Sequence, residues 1–363
     1  MSEIDDEVKS REDFESSDDE DVKAVMPPSD VVSFNEMRSC ADLFRMYKKG
    51  ILDIRPDFQR GIVWKTKEMS LFVDSLIKQL PIPSLCVSLD SSTGKRMVID
   101  GLQRIWTIIR FLDSENGDWK ISNTEGVDSR IAGKSVSTIK KEQTRLCQIL
   151  EDVTLPINTI RCDYNDNTHM EYLFQIFSRL NSGGRRLLGQ EIRNCVFQGS
   201  LNTFLKSYVH TDKWLSFVDH KSEEIDKYRF GNEERVLRFM AFYDRWQSYS
   251  SSLVRFLNSY MSENREMSIE DVIKWQSLLN DSLDVVSRIQ AKKETRKNWN
   301  VMECALVGIA KNIDTMRNEV AERVTERFNA LIGTTEYTER MKEGVLHGTK
   351  VRDRIEMAIR YFA

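Results

Sequence analysis

A polar turn between a predicted strand and a predicted helix carries the residues with the clearest chemistry. The strand is Arg96–Ile99, the helix starts near Leu102, and Asp100 and Gly101 stand between them. The first turn of a helix offers unbonded backbone N–H groups and the positive end of the helix dipole, which together attract anions. Glycine lets a ligand approach the backbone closely. The pattern therefore indicates a turn that binds an anion such as phosphate.

The side chains of this turn favour the same chemistry. Gln103 and Arg104 fall in the first helical turn, where a cation opposes the helix dipole. Arg104 is therefore better suited to grip a phosphate with its planar fork than to stabilise the helix. Asp100 has two roles open to it. It could hold a magnesium ion or orient a water molecule, or it could simply cap the helix.

A second polar cluster lies in the loop before the helix that is predicted to begin at Thr66. Gln59 and Arg60 stand in this loop, and Trp64 follows them. Loops on a rigid frame often carry binding residues. Gln59 and Arg60 are therefore candidate ligand contacts, whereas an aromatic side chain such as Trp64 fits a core anchor.

A third, basic segment spans residues 177–194, where one predicted helix ends and the next begins. Its centre, Asn181–Gly184, is a turn of sequence Asn-Ser-Gly-Gly that would expose backbone N–H groups. A helix C-cap followed by a flexible link would also explain that turn. Four flanking arginines favour contact with an anion instead: Arg179, Arg185, Arg186 and Arg193.

Other kinds of site are excluded by motif and spacing. The chain has neither the Gly-x-x-x-x-Gly-Lys-Ser/Thr loop nor the Gly-x-Gly-x-x-Gly fingerprint, so any nucleotide site is of another kind. Its six cysteines form no Cys-x-x-Cys pair and fit buried thiols in a reducing compartment. Its four histidines show no paired metal-ligand spacing, which argues against a zinc site.

Hydrophobic periodicity places these segments in an α+β protein with a small mixed α/β unit at residues 32–165 and a larger helical unit at 166–363. In the first unit, Ser33–Glu36 fits a capping box that opens a helix, and an apolar stripe follows Thr66. Strands are predicted on both sides of a turn at 90–95 and at Thr154–Ile160, while 113–150 shows no regular pattern.

The second unit is predicted to be helical throughout. Thr168–Glu171 fits a second capping box. Further helices are indicated near 189–209, 232–249, 269–293, 298–311, 316–331 and 349–362.

Charge is distributed unevenly along the chain. The formal net charge is −4, but residues 1–30 hold 12 acidic and 3 basic side chains, which leaves the remainder at +5. Residues 1–31 are expected to form a disordered acidic leader. It could be a solubilising tail or a mimic of nucleic-acid charge that occupies a basic groove. With no span of about 18 apolar residues and no secretory signal, the expected location is the cytoplasm, away from membranes.

Taken together, the three segments resemble a known family. Pro56–Arg60 with Trp64, then Asp100–Arg104, then Arg179–Gly184 with Glu191–Asn194 resemble the N-terminal domain of GmrSD-type restriction endonucleases, also called domain of unknown function 262. Here Leu102 replaces the glutamine of that family's Asp-Gly-Gln-Gln-Arg signature.

The resemblance implies a core similar to ParB and sulfiredoxin that binds a nucleoside triphosphate with Mg²⁺. Carried over by position, Asp100, Gln103 and Arg104 would be catalytic, and Asp100 would also hold the metal. The implied nucleotide contacts are Gln59, Arg60, Trp64, Gly101, Arg179, Asn181, Gly183, Arg193 and Asn194.

The implied function is that of a nucleoside-triphosphate-binding and hydrolysing module in a DNA restriction or phage-defence system. Many relatives carry an HNH nuclease domain, but Asp219-His220 is the only Asp-His pair here, so a separate HNH-type nuclease is the expected partner. A non-hydrolysing nucleotide or DNA switch and a ParB-like nuclease acting alone are the alternatives. A homo-oligomer is also compatible with the resemblance.

Candidate DNA contacts are basic residues of the helical region. Arg185 and Arg186 come first, and a further group lies at 292–297: Lys292, Lys293, Arg296 and Lys297. A solvated helix face is the alternative explanation of such charge runs.

Overall fold

The computed structural model describes residues 27–54, 64–113, 117–180, 187–221, 225, 227–342 and 345–363. Their contacts divide them into two compact units that meet in sequence between Leu187 and Leu188. The first is mixed α/β and the second is helical, which confirms the predicted α+β class. The boundary falls later than residue 165 because the helix Asn167–Leu180 packs against a strand of the first unit. The proposed leader, apart from residues 27–31, lies outside the described residues.

A five-stranded mixed sheet organises the first unit. Its strands are β1 Val32–Ser39, β2 Leu52–Asp53, β3 Leu85–Asp90, β4 Arg96–Asp100 and β5 Thr154–Cys162, in the spatial order β1-β5-β3-β4-β2. The β3–β4 hairpin and the β1–β5 pair are antiparallel, whereas β3–β5 and β2–β4 are parallel.

Helices pack on this sheet and on one another. They are α1 Cys40–Lys48, α2 Thr66–Ile77, α3 Leu102–Leu112, α4 Val136–Glu142, α5 Thr144–Asp152 and α6 Asn167–Leu180. The apolar stripe predicted after Thr66 is the buried face of α2, where Val73 and Leu76 are fully covered. Ile105 and Ile109 of α3 join the same core. This packing fixes the direction in which α3 leaves β4.

Two predicted capping boxes are wrong. Residues 33–36 belong to β1, because that strand pairs with β5 along its whole length, and the cap of α1 is Ser39, whose hydroxyl accepts the Asp42 N–H at 3.0 Å. In α6 the Asp166 carboxylate accepts the N–H groups of Thr168 and His169, two residues earlier than predicted. Residues 113–150, predicted to be irregular, contain α4 and most of α5.

The helical unit contains twelve α-helices among its described residues. They are α7 Gly189–Val196, α8 Ser200–Tyr208, α9 Asp212–Val218, α10 Gly231–Arg245, α11 Leu253–Glu263, α12 Ile269–Ser287, α13 Lys293–Lys297, α14 Trp299–Lys311, α15 Ile313–Met316, α16 Ala321–Ile332, α17 Thr335–Arg340 and α18 Gly348–Phe362. The helix predicted at 189–209 is interrupted near Gly199 and forms α7 and α8. The helices α9, α11, α13, α15 and α17 were not predicted.

None of the helices within the described ranges is both long and apolar enough to cross a membrane.

The six cysteine thiols are all buried, as their scattered spacing predicts. Burial raises the pKa of Cys40 and of Cys162 to about 12. Thiolate is the reactive form, so we expect the native protein at pH 8 to react negligibly with a thiol reagent such as DTNB. All six thiols should react after unfolding in guanidinium. Rapid labelling of the native chain would contradict this burial.

Candidate functional site

The anion-binding turn predicted from the sequence is present at the end of β4. Asp100 is the last residue of that strand, Gly101 follows with φ +95°, and α3 begins at Leu102. Gly101 is the N-cap residue, and no side chain of the described residues caps this helix, so the expectation that Asp100 is only a cap is wrong. The first amide bonded within the helix is that of Ile105, which donates to the Gly101 carbonyl at 2.9 Å. Within the described ranges, the start of α3 therefore lacks a capping side chain that would compete with an anion.

Gly101 is required at this turn for two reasons. Its φ lies in the left-handed region, which disfavours residues with a Cβ. A Cβ built on it would also lie 2.3 Å from Leu85 Cδ2 and 3.2 Å from Arg104 Nη2. A larger residue would therefore displace both the strand side chain and the guanidinium.

Replacing Gly101 with alanine should lower the free energy of unfolding by about 2–4 kcal/mol, through backbone strain and the collision with Leu85. Gly94→Ala is the matched control, because Gly94 also has a positive φ (+71°), but a Cβ at that position would meet none of the described atoms within 4 Å. That variant should lose about 1 kcal/mol. Urea denaturation measures both, and equal losses would show that the Leu85 contact is unimportant.

Arg104 is anchored at three points. Its Nη2 lies 2.9 Å from Asp100 Oδ2, its Nη1 donates to the Pro83 carbonyl at 2.5 Å, and its Nη2 approaches the Ser84 carbonyl at 3.4 Å. The Arg104 side chain is 14% exposed and that of Asp100 is 43% exposed. The guanidinium is thus preorganised at the turn, and the Asp100 carboxylate faces solvent beside it.

The Gln103 side chain connects the start of α3 to Trp64. Its Oε1 accepts the backbone N–H of Trp64 at 3.1 Å, and the Trp64 ring packs edge-on against Phe72 with ring centres 5.6 Å apart. Trp64 therefore fits the core anchor that its residue type suggests. Gln103 ties the start of α3 to Trp64, the first residue described after position 54. Gln59 and Arg60 lie outside the described ranges.

Leu102 departs from the family signature without altering the exposed side of the turn. It is 5% exposed and belongs to the apolar core of the first unit. Its side chain therefore packs inward, so leucine at this position removes no solvent-facing polar group.

A cavity of about 590 Å³ borders the same segment that Arg104 holds. Pro81 and Ile82 line it, and they directly precede Pro83 and Ser84, whose carbonyls face the guanidinium. The remaining lining residues are Gln79, Leu80, Arg145, Ile149, Asp152, Val153, Thr154 and Pro156. The size falls within the range of small-molecule sites. The sequence patterns indicated neither this cavity nor the carbonyl partners of Arg104. Pro81 and Pro83, which cannot continue a helix, mark the segment in the sequence.

Cys86 faces Asp100 across the β3–β4 pair. Burial, together with the nearby Asp100 charge, raises the pKa of the Cys86 thiol to about 12. This cysteine therefore stays protonated at neutral pH and is unsuited to act as a nucleophile.

Arg193 and Asn194 take part in a buried network of the helical unit. Arg193 is 2% exposed; its Nη2 lies 2.9 Å from Glu234 Oε2 and its Nε donates to Gln190 Oε1 at 2.8 Å. Asn194 is fully buried, and its Oδ1 accepts from Gln190 Nε2 at 3.0 Å. Nucleotide contact by either side chain would require these bonds to break, and their predicted ligand role stays a prediction.

The remaining candidates divide between described and undescribed positions. Arg179 is exposed in the last turn of α6. Asn181, Gly183, Arg185 and Arg186 lie outside the described ranges. The structure therefore brings together Asp100, Gly101, Gln103, Arg104 and Trp64.

The donor set of the turn is compatible with Mg²⁺. No cluster of three or more His, Cys, Asp or Glu side chains suited to a metal ion occurs among the described residues. Magnesium, however, is commonly held by one or two carboxylates together with substrate phosphates and water. The half-exposed Asp100 carboxylate can supply one such ligand.

Comparison with protein families gives the class of the domain that contains this turn. Residues 40–198 match the family model described as GmrSD restriction endonuclease, N-terminal domain. Residues 40–198 therefore match a GmrSD N-terminal domain, as the three sequence segments predict, and this similarity connects them with DNA restriction systems. No curated protein and no solved structure matches the chain. The ParB- and sulfiredoxin-like core stays a prediction.

Proposed function

We propose that this protein binds a nucleoside triphosphate at the Asp100–Arg104 turn, hydrolyses it, and so regulates DNA cleavage by a partner nuclease in a restriction or phage-defence system. One observation carries the proposal. A helix start without a side-chain cap, a preorganised guanidinium and a half-exposed carboxylate lie within a single turn of the described chain. This combination offers anion-binding amides, a positive charge and a metal or water ligand at the same point.

Each group has a distinct part in the proposed hydrolysis. The amides at the start of α3 and the Arg104 guanidinium would hold the terminal phosphates and stabilise their charge in the transition state. A magnesium ion, when bound, would neutralise phosphate charge. Asp100 would hold that ion or orient the attacking water. The products are a nucleoside diphosphate and inorganic phosphate.

The nucleoside part of the ligand is proposed to enter the adjacent cavity. Apolar side chains such as Ile82, Ile149 and Val153 offer packing surface for a planar base. Gln79 and Asp152 offer polar groups for its edge. The short connection from Ile82 to Pro83 places the cavity wall next to the anchor of Arg104.

The test measures phosphate release from ATP, GTP, CTP and UTP with Mg²⁺. Wild type should release phosphate from at least one nucleotide, and Asp100→Ala should reduce that release to background. Glu125→Ala, at an exposed position of the same unit, should behave as wild type. Background release by wild type from all four nucleotides would contradict hydrolysis.

Thermal stabilisation separates hydrolysis from binding alone. Stabilisation of wild type by a non-hydrolysable triphosphate, without any turnover of the natural nucleotides, would select the non-hydrolysing switch. Absence of stabilisation and of turnover would contradict both functions.

A further inference from the structure

An exposed basic segment of the helical unit is separate from the nucleotide-binding turn in sequence. Lys292, Lys293, Arg296 and Lys297 are all exposed within six residues. Glu294 is the only acidic residue of that stretch. Positions four apart lie on the same side of a helix, at about 6 Å along its axis. The helix α13 therefore places Lys293 and Lys297 on one side, and Lys292 precedes the helix as its N-cap residue.

Hydrogen bonds within and beside this basic segment restrain its conformation. The Gln290 N–H donates to Thr325 Oγ1 at 3.0 Å, and the Arg296 guanidinium donates to the Ile289 carbonyl. The Asn298 N–H closes the short helix α13 by donating to the Thr295 carbonyl at 3.2 Å. A charged surface that is already ordered loses less conformational entropy when it binds.

The end of the segment is fixed by an aromatic anchor. The Trp299 ring packs against Trp214 and Phe217, and its Nε1 donates to Glu303 Oε1 at 3.2 Å. The Arg235 guanidinium lies 5.0 Å from the Trp299 ring centre. A further half-buried cation therefore lies beside Trp299, two residues after the segment ends.

We infer that this surface, formed by residues 292–297 with Arg235, binds the phosphate backbone of double-stranded DNA. Closely spaced exposed lysines on a rigid frame match a regular row of phosphates in charge, and backbone contacts provide affinity without reading sequence. The inference rests on the surface itself and does not require nucleotide hydrolysis. The surface would hold DNA while other residues or a partner supply selectivity.

The experiment measures binding of the full-length chain to a fluorescent DNA duplex by anisotropy at several salt concentrations. Lys292→Glu/Lys293→Glu should weaken binding by at least about tenfold and make the dependence on salt shallower. Lys120→Glu/Lys141→Glu makes the same change in net charge at exposed positions of the first unit, and it should change affinity less than about twofold.

Four further observations decide the result. Equal losses in the two double variants would overturn the inference, since net charge and not this surface would then set affinity. The inference would also be overturned if the wild-type protein did not bind the duplex, or if it bound an acidic protein instead. If the glutamate variant is too unstable to test, Lys292→Ala/Lys293→Ala replaces it. A smaller loss of DNA affinity in that alanine variant would support the inference. Phosphate release should be unchanged in all these variants, so failure of the nucleotide site remains distinguishable.

Discussion

Replacing Arg104 with alanine is expected to lower phosphate release by at least about a hundredfold. The guanidinium would be lost from the point where phosphate charge builds up. Its bonds to the Pro83 carbonyl and to Asp100 would be lost as well, so the carboxylate would no longer be held beside the helix start. The variant should show a lower kcat as well as weaker nucleotide binding.

Two further variants serve as controls for Arg104→Ala. Arg104→Lys keeps the charge but lacks the planar fork, so it should recover only part of the activity. Arg161→Ala removes an exposed arginine of β5 that aligns with Leu89 of β3 and not with the Asp100 turn. This control should retain full activity. Thermal melting must show that all three variants are folded. A folded Arg104→Ala protein with turnover within about threefold of wild type would refute the proposed role.

The second large effect is on stability, at Glu191. This carboxylate is fully buried; it accepts from Arg229 Nε at 3.0 Å and Nη2 at 2.6 Å, and from the Leu188 N–H at 2.7 Å. Glu191→Ala would leave a buried guanidinium and a buried amide without this partner. Breaking a buried pair in this way costs about 3–5 kcal/mol.

Chemical denaturation measures the Glu191 effect directly. Glu270→Ala, in the exposed first turn of α12, is the control and should change the free energy of unfolding by less than about 0.5 kcal/mol. A loss below about 1 kcal/mol for Glu191→Ala would mean that Arg229 finds other partners or water. The backbone of Arg229 has φ +51° and that of Phe230 has φ +59°, so the buried ion pair includes one of two consecutive residues in an uncommon conformation.

Short-range sequence patterns predicted those elements whose conformation depends on neighbouring residues. The β3–β4 hairpin, the turn at Asp100 and the helix from Leu102 follow from residues adjacent in sequence, and they were predicted correctly. The strand at 32–39 was not, because its conformation depends on pairing with β5 more than a hundred residues later. A Ser-x-x-Glu pattern fits both a helix start and an edge strand, so only the partner strand decides between them.

The same difference between local and long-range determinants applies to the side chains of the candidate site. Arg104 was singled out because a cation at a helix start is unusual, but its acceptors, the Pro83 and Ser84 carbonyls, lie about twenty residues earlier. Arg193 was assigned to a ligand because it accompanies other arginines. Its partners Glu234 and Asn258 come from distant helices, and no local spacing indicates them.

The anchoring of Arg104 links two parts of the first unit thermodynamically. One guanidinium contacts both the Asp100 carboxylate and the carbonyls that continue into the cavity wall at Ile82. A phosphate that draws this group away from Pro83 would free the segment that continues into that wall. A molecule in the cavity that favours the freed segment would in turn bind more tightly when phosphate is present. Because coupling free energies are reciprocal, the factor by which each changes the affinity of the other is the same.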